Sequence, residues 1–360
     1  MRKYSIGYNV RVKFGIFSLP SFIPEYDGTI TSFYKRLLEL LEHSEEVGFD
    51  SAWLNEHHFH AFGGMMPHPP VALAAVAART SRIRLGTSIA ILPLHNPVEL
   101  AESYAMLDQI SEGRLEFGVG RGYLKHDYDV MGVPWDEGHD RMFEGLQVIL
   151  QAWQHQPFTF HGRFYNYDNA SVWPVPVQQP HPPIWGAATR TADSFEWVGR
   201  HGFNLLTLMH LKPLHEQAKF VQVYRDAAIA SGRDPAAVRV STHFQVYCTE
   251  SRQEAIREFV AAHELVHEQF VSARHHSGAT VPVTEAAPAE RLIEEGRVCV
   301  GAPDDCIRIL RQARDTIGLT GADCSFYFGT IDYEKARRSM DLFASEVIPQ
   351  LKHEAEPALV

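Results

Sequence analysis

The chain has 360 residues, 45% of them hydrophobic, enough to bury a full core in one large domain or two ordinary ones. Its formal net charge of −11 excludes the basic face that a nucleic-acid partner or a polybasic membrane anchor requires. No apolar run approaches the ~20 residues of a membrane span, the N-terminus lacks the apolar stretch and cleavage site of a signal peptide, and Cys248, Cys299, Cys306 and Cys324 form no C-x-x-C pair, so a reduced, cytoplasmic chain is expected.

Along the chain, short β-rich runs alternate with longer stretches of helical periodicity. VKFGIFS is followed by FYKRLLELLEHSEEVGF, where Phe33, Leu37, Leu38, Leu41 and Val47 fall at helical spacing and Gly48 closes the helix. SAWLN and RIRLGTSIAIL come next. A helix in NPVELAESYAMLDQIS then starts near Pro97 and stops before Gly113. After RLEFGVG, an aromatic and proline-rich insertion (about 157–182) reads as a hairpin plus an extended segment and offers a possible apolar wall. PPIWGAA, the helix RTADSFEWVGRHG ending at Gly202, and FNLLTL restore the alternation, and STHFQVYCT and ADCSFYFGT supply two last strands. Between these two lies a polar, weakly patterned insertion (about 272–298), a candidate lid or a plain surface loop. A short tail, 353–360, ends the chain.

Strict β/α alternation implies a parallel sheet with right-handed crossovers. An open doubly wound sheet and a closed barrel both fit. About eight units favour the barrel, so the expectation is α/β: one (β/α)8 TIM-barrel domain over 1–360 with insertions.

In a barrel the chemistry sits where strands end. Glu56, His57 and His58 follow SAWLN; Pro93 and His95 follow RLGTSIAIL; Arg121, Gly122 and Tyr123 follow RLEFGVG; Thr189, Arg190 and Thr191 follow PPIWGAA and open a helix with Asp193 and Ser194 in its first turn. Neighbouring His57 and His58 point to opposite sides of an extended segment, so one can face a pocket while the other packs. For the same reason EHHFH is a poor single metal site; His60 has no assigned role, and Gly63 and Gly64 read as a turn. GVGRGY matches a dinucleotide loop only as G-x-G-x-G, but its glycines, Gly120 among them, suit close approach of a ligand, and Arg121 is typed for a phosphate or a surface ion pair. The helix start at ATRTADS offers free N–H groups and hydroxyls to the same anion, or simply caps itself.

His263–Glu264–Leu265–Val266–His267 is H-E-x-x-H, the pattern of helical zinc sites. It shares its helix with apolar Ile256, Phe259, Val260 and Phe270, so packing histidines on a peripheral barrel helix explain it too.

With those residues placed, the chain resembles the flavin-dependent luciferase-like monooxygenases, and among them the catalytic alpha subunit of bacterial luciferase. The marks are EEVGFDSAWLNEHHF, LPLHNPVELAESYAMLDQISEGRLEFGVGRG and VGAPDDCIRIL, within a likeness running from VKFGIF to the last helix. The resemblance implies a (β/α)8 barrel open at its strand ends and reduced FMN, delivered by a separate flavin reductase. It implies a flavin C4a-hydroperoxide that passes one oxygen atom of O2 to a small organic substrate, an aldehyde being one candidate. It implies a homodimer, or a heterodimer with a related subunit. By the same likeness His57, His58 and Asp127 are the catalytic group, with His57 handling protons. Ser88, Ile89, Gly120, Arg121, Tyr123, Arg190, Thr191 and Ser194 contact the cofactor, and no metal is implied. Ser88–Ile89 falls where such proteins have a non-prolyl cis peptide under the flavin ring. Gly120 stands where the luciferase subunit has a reactive cysteine, which is expected to widen the pocket there. A deazaflavin-dependent oxidoreductase of the same superfamily, a zinc hydrolase and a non-catalytic flavin-binding protein are the alternative readings.

Overall fold

A computed structural model describes residues 11–276 and 287–353. Eight parallel strands carry it: β1 Lys13–Ser18, β2 Ser51–Leu54, β3 Arg84–Thr87, β4 Leu115–Gly120, β5 Ile184–Ala187, β6 Asn204–Leu208, β7 Val240–Cys248 and β8 Gly321–Ser325. Each strand pairs with the next in chain order, and β8 pairs with β1 through Lys13–Gly321 and Ile16–Cys324, which closes an eight-stranded barrel. The outer ring includes α1 Ile30–Glu46, α2 Pro69–Ala77, α3 Pro97–Ile110, α4 Gly138–Gln154, α5 Ala192–Arg200, α6 Leu214–Ala230, α7 Arg252–His276, α8 Pro303–Ile317 and α9 Tyr333–Leu342.

Local chemistry explains these boundaries. Thr29 and Ser32 cap α1 reciprocally, at 3.1 and 2.9 Å, and the helix lays Phe33, Leu37, Leu40 and Leu41 onto the barrel. The stripe is turned slightly from the expected one: Leu40 is fully buried, while Leu38 is only partly so. β4 is buried along its whole length, as a strand covered on both faces must be. Inside the barrel Phe17, Trp53, Trp185 and Leu206 pack into a plug. The Trp53 ring packs against Gly86, where any Cβ would collide with it, so β3 needs glycine at that point.

Several expectations are corrected. RIRLGTSIAIL is not one strand: β3 ends at Thr87 and Ala90–Ile91 pairs separately with Val119 and Gly120, while the Ser88–Ile89 peptide between them is cis, as the resemblance implied. A short strand, Cys299–Gly301, adds to β7 beyond the barrel set, and no run was expected there. The 157–182 insertion forms the expected hairpin, Phe158–His161 against Asn166–Ala170. Its tip is held on the flank of α4, where Glu144 accepts from the backbone N–H groups of Phe164 and Tyr165, and Tyr167 donates to Asn96 at the start of α3. Of the candidate lid at 272–298, residues 277–286 lie outside the described residues, as do 354–360 of the tail. The four cysteines are buried free thiols. Among the described residues no helix is long and apolar enough to cross a membrane.

Candidate active site

The loops that leave β2, β3, β4 and β5 meet at one end of the barrel. The β2 loop folds back on itself: Gly63 has φ +72°, the His57 N–H donates to the Met66 carbonyl at 3.3 Å, and the Gly63 N–H donates to Ser21 Oγ at 2.9 Å. This holds Glu56, His57, His58 and their surroundings in a buried position; His57 is 6% exposed and Glu56 3%.

Alternation separates Glu56 and His58 from His57, and the positive φ of Phe59, +59°, breaks the extended run so that His60 joins His57 in a second group. On one side, Glu56 accepts from His58 Nε2 at 3.0 Å, from His95 Nε2 at 2.6 Å and from the Ile91 N–H at 3.0 Å. Burial would raise the Glu56 pKa, but these hydrogen bonds outweigh it and hold the carboxylate at about 2. Burial likewise opposes charge on His95, and the bond to Glu56 overcomes it, so that pKa is raised. Glu56 thus ties the loop after β2 to the segment that follows the Ser88–Ile89 cis peptide.

On the other side stand His57, His60 and Asp127, the last from the short helix Lys125–Met131. The His57 and His60 rings are 5.3 Å apart, and His60 Nε2 lies 3.7 Å from Asp127 Oδ1. Tyr123, 43% exposed, places its hydroxyl 3.3 Å from His57 Nε2. Burial, then His60, pulls the His57 pKa to about 3; burial, then His126, pulls His60 to about 4; burial pushes Asp127 up to about 7. At neutral pH both rings are therefore uncharged, and Asp127 is the group of this set that titrates there.

The β4 and β5 loops provide a different surface. Val119 pairs with Gly186, which sets the two loops side by side. The Arg121 guanidinium sits 4.5 Å from the Trp135 ring centroid, its carbonyl accepts from Tyr128 Oη, and among the described residues no carboxylate pairs with it. Thr191 caps α5, accepting from the Ser194 N–H at 3.4 Å, and its hydroxyl lies 2.9 Å from Ser194 Oγ. An unpaired guanidinium, two hydroxyls and the start of a helix suit a phosphate dianion.

Gly120 does not open a pocket. Ile89 fills the space a side chain would take, and a Cβ at 120 would overlap Ile89 Cδ1. Gly120→Ala is expected to cost about 1–3 kcal/mol of stability through overpacking. Ile89→Val, which removes the colliding atom, should restore most of it in the double variant; denaturant unfolding of the single and double variants checks this.

The H-E-x-x-H helix is not merely peripheral. The C-terminal half of α7 leans over the mouth, where Phe270 meets Phe62 at 5.3 Å and Tyr123 at 6.4 Å. His263 is stacked on Phe259 and lies 3.3 Å from Gln245, and among the described residues no third ligand converges on it and His267.

Sequence reasoning placed His57, His58, Arg121 and the Arg190–Ser194 segment at one end of the barrel. It missed that Glu56 binds His95, that His60 joins His57 and Asp127, and that Trp135 carries Arg121. The i, i+2 alternation of Glu56 and His58 signalled their shared face; His95 was placed at the end of its run but not paired with Glu56, and nothing local signalled Trp135.

The strand-end loops of an α/β barrel thus bring a guanidinium with no carboxylate partner among the described residues, two hydroxyls at a helix start and a buried histidine–carboxylate set to one end of the molecule. The Luciferase-like monooxygenase family model matches residues 12–320, and the chain belongs to that family. It is 27% identical over 364 residues to the alkanal monooxygenase alpha chain of the Kryptophanaron alfredi symbiont, covering 96% of this chain and 99% of that one. It is 31% identical over 239 residues to the oxygenase component of the flavin-dependent trigonelline monooxygenase of Acinetobacter baylyi, covering 64% and 63%. The solved structure of monooxygenase RslO1 from Streptomyces bottropensis superposes with a TM-score of 0.86 at 30% identity, covering 94% of this chain and 99% of that one.

Proposed function

We propose that this chain is the oxygenase component of an FMN-dependent monooxygenase that uses reduced FMN and O2 to place one oxygen atom in a small organic substrate, with an aldehyde as one candidate. What supports the reading is that Arg121, Thr191 and Ser194, groups suited to a phosphate, follow barrel strands at the same end as the His57–His60–Asp127 set. When bound, reduced FMN supplies the activation of dioxygen and the oxygen atom to be transferred.

The chain's own residues bind, shield and move protons. Arg121, the backbone at Arg190 and Thr191, and the Thr191 and Ser194 hydroxyls hold the phosphate. Ser88, Ile89, Gly120 and Tyr123 border the ring site, and Ile89 with the tryptophan plug below keeps that side dry. His57, hydrogen-bonded by Tyr123, accepts and returns a proton; Asp127 stores one near neutral pH; His58, fixed by Glu56, holds the loop in place. A separate flavin reductase in the cytoplasm, reached by diffusion, delivers the reduced flavin, and the oxygenase works as a homodimer or with a related subunit. The oxygenase-component relative supports the two-protein arrangement.

Anaerobic titration with reduced FMN tests the reading. Arg121→Ala is expected to bind reduced FMN roughly ten- to a hundredfold more weakly, the worth of charged hydrogen bonds to a phosphate. An unchanged affinity, or a parent chain that binds reduced deazaflavin in preference to reduced FMN, contradicts it.

A further inference from the structure

Two groups of metal-ligand side chains converge among the described residues, Glu56–His58–His95 and His57–His60–Asp127, and their chemistry differs. In the first, the Glu56 carboxylate accepts from both histidines and from the Ile91 N–H, so an ion would have to displace existing hydrogen bonds. In the second, His57 Nδ1 and Asp127 Oδ1 are buried without a hydrogen-bond partner. The His60 nitrogens, equally enclosed, have no hydrogen-bond partner either, Asp127 Oδ1 lying 3.7 Å from Nε2. Buried polar atoms are rarely left unpaired, and three residues that carry such atoms and bring one ligand atom each within 4.8 Å of one another point to a missing shared partner.

We propose that His57, His60 and Asp127 form a binding site for a divalent transition-metal cation, and that its occupation inhibits the enzyme by withdrawing His57 from proton transfer. Two imidazoles and one carboxylate are a ligand set for zinc, cobalt or nickel, with further positions left to water. The ligand atoms lie within 4.8 Å of one another. Two ligands each about 2.1 Å from an ion sit at most about 4.2 Å apart, so only a small side-chain closure separates this arrangement from coordination. His57 Nε2 is engaged by Tyr123, which leaves Nδ1 as the nitrogen available and supplies the outer-shell hydrogen bond that metal-bound imidazoles commonly have. A neighbour-by-neighbour reading of EHHFH cannot find this site: the third ligand comes from another loop, and His58 belongs to the other group. Metal binding stands on geometry alone; the inhibitory consequence rests on the role proposed for His57.

The test uses the purified full chain, freed of metal with a chelator and titrated with Co2+ while its visible ligand-field absorption is followed. One equivalent should bind, and Zn2+ should displace it. His60→Ala, His60→Gln and Asp127→Asn should each weaken Co2+ binding by at least about tenfold, the lower end of what even outer-shell partners are worth. His95→Gln should not. The two His60 variants, one of them close in size, keep the outcome readable if either misfolds. No Co2+ binding by the parent, or binding lost in His95→Gln but kept in both His60 variants and Asp127→Asn, overturns the site. Zn2+ that binds here without slowing oxygenation overturns the inhibition and counts against His57 as the proton-handling group. Absent binding overturns the metal site while leaving the flavin reading intact.

Discussion

His57→Ala is expected to bind reduced FMN about as well as the parent and to lose about 10²–10⁴-fold in substrate oxygenation, the usual worth of a positioned acid–base group. The expectation follows from where the side chain stands. It is buried at the end of β2, oriented by the Tyr123 hydroxyl on one nitrogen, with the other free. It belongs to a different set of contacts from the Arg121–Thr191–Ser194 cradle, so phosphate binding should survive its loss. Reduced FMN should still react with oxygen in the variant, but the oxygen should leave as hydrogen peroxide rather than enter the substrate. The check is a parallel assay of product and peroxide per reduced FMN consumed. Substrate turnover equal to the parent's would remove His57 from the mechanism. An ionisation near pH 7 in the parent's rate profile, with the proton on Asp127 below it, should vanish in Asp127→Asn.

Glu56→Gln should cost the most in stability. The carboxylate is buried and holds two histidines and a backbone N–H. Removing its charge weakens all three hydrogen bonds and, where His95 is protonated, breaks a buried ion pair, an effect of about 3–5 kcal/mol. Its sign with pH is defined. The folded pKa, at about 2, is depressed below the ~4.3 of an unfolded glutamate, so the stabilisation is fully present above the unfolded value and is lost as pH falls towards the folded one. Urea unfolding of parent and variant should therefore differ most near neutral pH and converge in acid. The raised His95 pKa adds a contribution that is complete below the unfolded histidine value and fades as pH rises through the folded one. Curves that stay equally far apart down to acid would mean that Glu56 contributes shape and not charge.

Strand identity and order were legible because β/α alternation is a local pattern: strands buried on both faces read as continuous apolar runs, and helix ends carry their own punctuation at Gly48, Gly113 and Gly202. The division of RIRLGTSIAIL was not legible from periodicity, since its residues on both sides of Ser88 have the same β-rich texture. The site was legible as a list of strand-end residues. Its wiring was not, because Glu56–His95 and His60–Asp127 join residues from different strand-end loops, and only the closed barrel brings those loops together. Gly120 shows the same limit from the other side. A missing side chain reads as empty space in the sequence, yet Ile89, thirty-one positions earlier in the chain, occupies it. The H-E-x-x-H pattern shows that correct spacing on a helix is not sufficient: His263 spends its ring on Phe259 and Gln245.

Stopped-flow mixing of the chain carrying reduced FMN with dissolved O2 tests most directly whether this barrel mouth holds reduced FMN and controls its reaction with oxygen. Oxidised-flavin absorbance should return in a late phase, well separated from the initial reaction with oxygen and slower than for free reduced FMN. Reoxidation at the rate of the free flavin, or no retention of reduced FMN by the chain, would contradict the account.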